Sequence, residues 1–295
     1  LSFSIPSIKT VTPTYFIGDS NVLTFRNLLI DLPSFFPRPS VTCAHFVRGL
    51  SAATIFADGL LHESVARCLK DEIGLRASMT DRSEHRLPEV AVGREIALAM
   101  RASRRDAWNT ASDPVIVLML GTAHALALLA DIGPATDFFC DDPRYVDGAF
   151  PSLPASIVPA AIIEERLELE MRPLVAGIAA LRELGVTRIY LHSLHPPTMD
   201  DLAFFEIRGL LRPAKLRYKI ALAINRIFRR IATEVEVGYL DMWAATTRDG
   251  VLDESFSLDG EHLNARAAAL TIEALFGDLV RSRSRPLRAS RRVTT

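Results

Sequence analysis

The chain is predicted to fold as a doubly wound α/β domain, flavodoxin-like, with three α/β/α layers around a five-stranded parallel sheet in the order 2-1-3-4-5. Short apolar runs lie at Tyr15–Ile17, Val41–Val47, Val115–Leu120, Arg188–His192 and Val237–Leu240. Continuous runs of this kind mark strands buried on both faces, and the longer segments between them carry helical spacing. Leu167, Met171, Leu174, Ile178 and Leu181 recur at helical intervals before Gly185, and Leu216, Ile220, Ile224, Ile227 and Ile231 do the same further on. Lys215, Lys219, Arg226, Arg229 and Arg230, interspersed in that second helix, read as a solvated basic face.

The elements follow in order. Tyr15–Ile17 is the first strand, and from Val22 onward Leu23, Phe25, Leu28 and Leu29 give a helix its apolar positions. Pro114–Ala130 is the most membrane-like stretch, but as one helix it would reach only about 25 Å against a bilayer core of about 30 Å. It contains Thr122 and His124, lies between Asp113 and Asp131, and reads as a buried strand followed by a helix. The charged stretch Asp71–Arg105 and the Pro- and Asp-rich stretch Asp137–Pro159 read as surface excursions able to shape a cleft. No linker or repeat divides the chain, which reads as a single domain over 1–295 with a basic, frayed tail over about 281–295.

Composition excludes several classes. With 49% hydrophobic and 23% charged residues the 295-residue chain can bury a large core, and a formal net charge of -1 gives no reason to expect nucleic acid or a membrane surface as partner. Cys43, Cys68 and Cys140 form neither a disulfide framework nor a zinc pattern. The odd count and the lack of a visible signal peptide lean towards a soluble, cytoplasmic protein in a reducing compartment, though a signal could have been removed. No metal, cofactor or membrane span is expected.

Chemistry concentrates at the two ends. Gly18-Asp19-Ser20-Asn21 follows the first strand, and Asp259-Gly260-Glu261-His262 precedes the last helix, which Leu263-Asn264-Ala265 opens. A serine at a strand-to-helix turn lies at the carboxyl edge of a sheet beside unpaired helix N–H groups. A histidine folding back from the other end, with an aspartate three residues upstream, would supply base and orienter for nucleophilic acyl transfer. Each block alone also fits a capped helix start.

These two blocks resemble those of the SGNH, or GDSL-like, hydrolase superfamily. The resemblance implies Ser20 as nucleophile, His262 as general base and Asp259 as its partner, in an esterase that deacylates (for example deacetylates) a carbohydrate or other small-molecule ester through an acyl-serine. Asp19 is expected to organise the turn and, with His195 of His192-Ser193-Leu194-His195-Pro196-Pro197, is a candidate for substrate contact. The N–H groups of Ser20 and of Gly49, in Arg48-Gly49-Leu50-Ser51, are the expected oxyanion hole.

The third block departs from the superfamily pattern G-x-N-D. It reads Gly121-Thr122-Ala123-His124, and Ala123 cannot supply the side-chain donor. Asn21 or His124 is the candidate substitute donor. Two alternatives stay open: a catalytically silent domain that binds a glycan or partner protein, and an O-acyltransferase using the same serine. His124, His192 and His195 lack the spacing of a metal motif.

Overall fold

The computed structural model describes residues 14–22, 24–25, 41–46, 115–133, 135–142, 156–183, 186–248 and 251–283, with 41–46, 276 and 280–283 described by backbone alone. Gly49 and its neighbours, the stretch Asp71–Arg105, Cys68 and the tail beyond residue 283 lie outside the described residues.

The protein is mixed α/β with a parallel sheet at its centre. Strands β1 (Thr14–Gly18), β2 (Val41–Phe46), β3 (Val115–Met119), β6 (Arg188–His192) and β7 (Gly238–Leu240) lie side by side in the order β2-β1-β3-β6-β7. Every pairing in that sheet is parallel. All five therefore end at one edge, where Asp19, Leu120, Ser193 and Asp241 leave the sheet.

The strand side chains sort by the two-residue period of the pleat. Tyr15, Ile17, Ile116, Leu118, Ile189 and Leu191 enter one apolar cluster, together with helices α1 (Thr122–Asp131), α2 (Ala160–Glu183) and α4 (Ala214–Glu234). Phe16, Val115, Val117, Met119, Tyr190 and Leu240 enter another, with Ala268, Ile272, Leu275 and Leu279 of α6 (Ala265–Arg283). Phe16 stacks on Phe25 at a centroid distance of 3.9 Å, which fastens the segment after β1 to the α6 side. Fully burying one such side chain contributes roughly 1.5–3 kcal/mol, so both faces of the sheet are driven inward.

Smaller elements surround this frame. Thr136–Phe138 (β4) and Ser156–Val158 (β5) pair in parallel, and Thr247–Arg248 (β8) and Val251–Leu252 (β9) pair antiparallel. A short helix α3 (Asp201–Arg208) and a single turn α5 (Trp243–Thr246) complete the set. Among the described residues no helix is long and apolar enough to cross a membrane.

Two expectations need correction. The basic residues of α4 are not a uniformly solvated face. Lys219 is fully buried, and its Nζ donates to Asp137 Oδ1 at 3.0 Å, Asp137 Oδ2 at 3.1 Å and the Phe138 carbonyl at 2.9 Å. Arg226 pairs with Glu164 and Asp141, Arg230 with Glu168, and Arg229 with Asp241. These three arginines stay partly exposed while they pair with acidic residues on α2, after β4 and after β7. Asp137, in turn, opens a stretch expected to be surface, yet it is 3% exposed because it answers Lys219. The rest of the expected helix after Val22 lies beyond the described Thr24 and Phe25.

Candidate active site

The Ser20 turn is built by close approach. A Cβ on Gly18 would sit 1.9 Å from the Met119 carbonyl oxygen, so only glycine lets β1 lie against β3 here. The next amide, Asp19 N–H, donates to that same Met119 oxygen at 3.0 Å. Asp19 Oδ1 then accepts from Asn21 N–H at 3.0 Å and from the Asn21 carboxamide at 3.1 Å, winding Ser20–Val22 into a 3₁₀ turn. Ser20 is thereby held at the sheet's carboxyl edge.

The opposing loop is equally determined by its sequence. Ser257 and Leu263 form an antiparallel bridge, and Leu258 N–H donates to the His262 carbonyl at 2.7 Å. Gly260, between them, has φ 90°, a left-handed conformation that costs glycine little. Asp259 Oδ1 accepts from Glu261 N–H at 3.0 Å and His262 N–H at 2.8 Å, closing the loop on itself. Asn264 caps α6, its Oδ1 accepting from Arg266 N–H at 2.9 Å.

Two side chains from the Ser20 segment join these pieces. Leu263 N–H donates to Asn21 Oδ1 at 2.9 Å, and the Leu263 carbonyl accepts from Thr24 Oγ1 at 2.7 Å. Both backbone groups of the residue after His262 are thus satisfied from the other end of the chain. With that residue pinned, His262 Nε2 lies 2.9 Å from Ser20 Oγ, and His262 Nδ1 lies 2.7 Å from Asp259 Oδ2. Burial pushes the Asp259 carboxyl up, but the hydrogen bonds from His262 N–H, the His262 ring and Glu261 N–H outweigh it and hold the group below its ordinary range. A serine hydroxyl, an imidazole and an ionised carboxylate in line can pass a proton away from the serine oxygen.

The remaining candidates fall in different places. Asn21 is 3% exposed, and its carboxamide is engaged by Asp19 and Leu263. It ties the two blocks together, its Nδ2 donating to Asp19 and its Oδ1 accepting from Leu263. Asp19 is 7% exposed with Oδ1 turned into the turn, which fits organising the turn better than touching a substrate. His124, on the first turn of α1, is buried, and burial lowers its pKa to about 4, with the nearby Asp19 carboxylate opposing. Ala123 beside it is half-buried.

His195 is buried and its Nε2–H donates to the Glu261 carbonyl at 2.6 Å, joining the loop after β6 to the His262 loop. His192 is held by the Ser193 carbonyl at 2.7 Å from Nδ1 and by Thr271 Oγ1 at 3.1 Å from Nε2, and burial lowers its pKa to about 4. Both of its ring nitrogens are used within the fold.

Some residues here escaped the sequence reading. Asn225 on α4 accepts from Leu194 N–H at 2.6 Å and donates to the Leu194 carbonyl at 2.8 Å, clamping the loop that carries His195. Its signal was a lone polar residue inside the apolar period of α4. Glu261, which pairs with Arg208 at 2.5 Å, and Arg217, which is 2% exposed, had no local signal.

No family model and no curated protein sequence matches the chain. Among solved structures it is similar to a GDSL-like lipase from Bacteroides thetaiotaomicron, at TM-score 0.45 and 11% identity over 96% of this chain and 93% of that one. It is also similar to a lipase/acylhydrolase from Enterococcus faecalis, at TM-score 0.39 and 15% identity over 94% of this chain and 100% of that one. A carbohydrate acetylesterase from Sinorhizobium meliloti is similar at TM-score 0.36 and 13% identity, over 92% of this chain and 99% of that one. Likeness at this level carries no weight of its own beside the geometry of the chain's own residues. In its two end blocks this chain resembles the SGNH, or GDSL-like, hydrolase superfamily.

Proposed function

We propose that the protein is a serine ester hydrolase, acting as one domain on a doubly wound, flavodoxin-like three-layer scaffold. The observation that carries this is the line from Ser20 Oγ to His262 Nε2 and from His262 Nδ1 to Asp259 Oδ2, at 2.9 and 2.7 Å. In the proposed reaction Ser20 Oγ attacks the ester carbonyl carbon while His262 Nε2 takes the hydroxyl proton. Asp259 holds the Nδ1–H tautomer and stabilises the imidazolium. The oxyanion of the tetrahedral intermediate is received by the N–H groups of Ser20 and Gly49. His262 then protonates the departing alcohol, leaving an acyl-serine, and water activated by the same imidazole releases the acid. The substrate class is a small-molecule ester, an acylated carbohydrate included, with acetate as the simplest acyl group.

Purified protein should hydrolyse p-nitrophenyl acetate and be labelled at Ser20 by a fluorophosphonate. A folded Ser20→Ala variant should lose both. Undiminished turnover by that variant would overturn the assignment.

Ala123 favours a second reading. Losing one oxyanion donor typically costs about 2.7–4 kcal/mol of transition-state stabilisation. A domain without it could instead bind a glycan or partner protein without turnover, and absence of Ser20 labelling would select that reading. Transfer of the acyl group to an alcohol uses the same serine, and product analysis with an added acceptor alcohol separates it from hydrolysis.

A further inference from the structure

Beside the Ser20 site a cavity of about 40 Å³ opens between α1, α3, α4 and the two loops that His195 and Glu261 join. Its walls are mostly apolar, Ala125, Leu126 and Phe204 among them, yet Thr122 and Arg217 also line it. Arg217 is 2% exposed, its guanidinium 4.1 Å above the Phe204 ring. Only Nη2 is engaged, donating to Asp201 Oδ1 at 2.8 Å and lying 3.5 Å from the Asp200 carbonyl. Nε and Nη1 are buried without a hydrogen-bond partner among the described residues, and so is the Thr122 hydroxyl oxygen.

Buried N–H groups of a cation are costly to leave unpaired, and fully apolar cavities do not collect them. Arg217 and Thr122 both line one small space, and both carry buried polar atoms without a hydrogen-bond partner among the described residues. Among the described residues the one carboxylate on its wall is Glu261, which forms an ion pair with Arg208 although its Oε2 makes no hydrogen bond of regular geometry. Burial drives the Arg217 pKa down, and Asp201 and Glu261 only partly restore it, as expected for a cation short of compensation. A cavity of this size exceeds what one water needs and suits a small planar group.

We propose that this cavity binds a small carboxylate, recognised by the Arg217 guanidinium and the Thr122 hydroxyl, with any alkyl part against the apolar wall. Arginine matches such an anion in both charge and donor geometry. The carboxylate is either a free acid or a group borne on the ester substrate.

The test is calorimetric titration of the Ser20→Ala protein with sodium acetate, which reports the cavity whether or not Ser20 is a nucleophile. Saturable binding in about the millimolar range is expected. Arg217→Met should weaken it roughly 10-fold or more. Ala125→Leu, which fills the space and leaves every polar atom in place, should do the same and serves if Arg217→Met does not fold. In the wild-type protein, a preference for the mono-p-nitrophenyl ester of succinate over p-nitrophenyl acetate, lost in either variant, assigns the carboxylate to the substrate. Acetate binding without that preference assigns it to a free acid. No saturable acetate binding, or binding that both variants leave unchanged, overturns the proposal.

Discussion

The seam between the Ser20 turn and the His262 loop and the cavity at Arg217 lie close together but are finished differently. In the seam, Asp19, Asn21 and Thr24 satisfy both backbone groups of Leu263 and the amides of the turn. In the cavity, Arg217 and Thr122 keep buried polar atoms without a partner among the described residues. A region whose polar groups answer one another is preorganised, because nothing needs to move before chemistry. A region with unanswered groups stores a free-energy gain for whatever supplies the missing partners. On the proposed reading, reaction belongs to the first region and recognition to the second.

The largest effect should come from breaking the seam at its chemistry. His262→Ala should reduce kcat for p-nitrophenyl acetate by roughly 10⁴-fold or more without unfolding the protein. Asp259→Asn should cost less, roughly 10²–10⁴-fold, because its role is orientation and the carboxylate is partly exposed.

Next in size is the tie itself. Asn21→Ala leaves the buried Leu263 N–H without an acceptor, which should cost about 1–3 kcal/mol in chemical denaturation. It should also lower kcat, since the His262 loop loses its register on Ser20. If kcat is unchanged while stability falls, the tie holds the fold and not the geometry.

Acid should loosen the same edge of the sheet. His124 and His192 are buried with pKa values of about 4, against about 6.5 in the unfolded chain. Between these values the unfolded state binds more protons, so stability rises with pH and is lost as pH falls from about 6.5 towards 4. The two groups together should remove a few kcal/mol over that window. Tm measured from pH 7 to 4 should fall, and His192→Gln should give a shallower slope.

The smallest effect probes the donor that Ala123 lacks. Ala123→Asn should raise kcat by about 10-fold, well below the two to three orders of magnitude that a well-placed donor supplies. The helix start was not shaped around an amide, which accounts for the shortfall. Unchanged or reduced kcat would mean that the hole is already filled.

Much of the frame was legible because it rests on local rules. The apolar runs that became β1, β3 and β6 are continuous since both sheet faces are covered, and α4 announced itself through its spacing. The two blocks were legible too, since Gly260 answers a local need of φ, and Asp259 and Asn264 are local caps. What the chain's order could not reveal is which distant atoms meet. Lys219 reads as solvated by its type and is buried because Asp137 arrives from another element. Asn21 reads as a donor, yet its carboxamide oxygen accepts from Leu263 N–H, 242 positions away. Arg217 lies on the same helix as exposed arginines, and only the packing of α3 and α1 around it makes it an enclosed cation. Periodicity and turn chemistry are properties of neighbours in sequence, whereas burial of charge and completion of a hydrogen bond belong to neighbours in space. The first kind this sequence determined by itself, and the second only the tertiary structure decided.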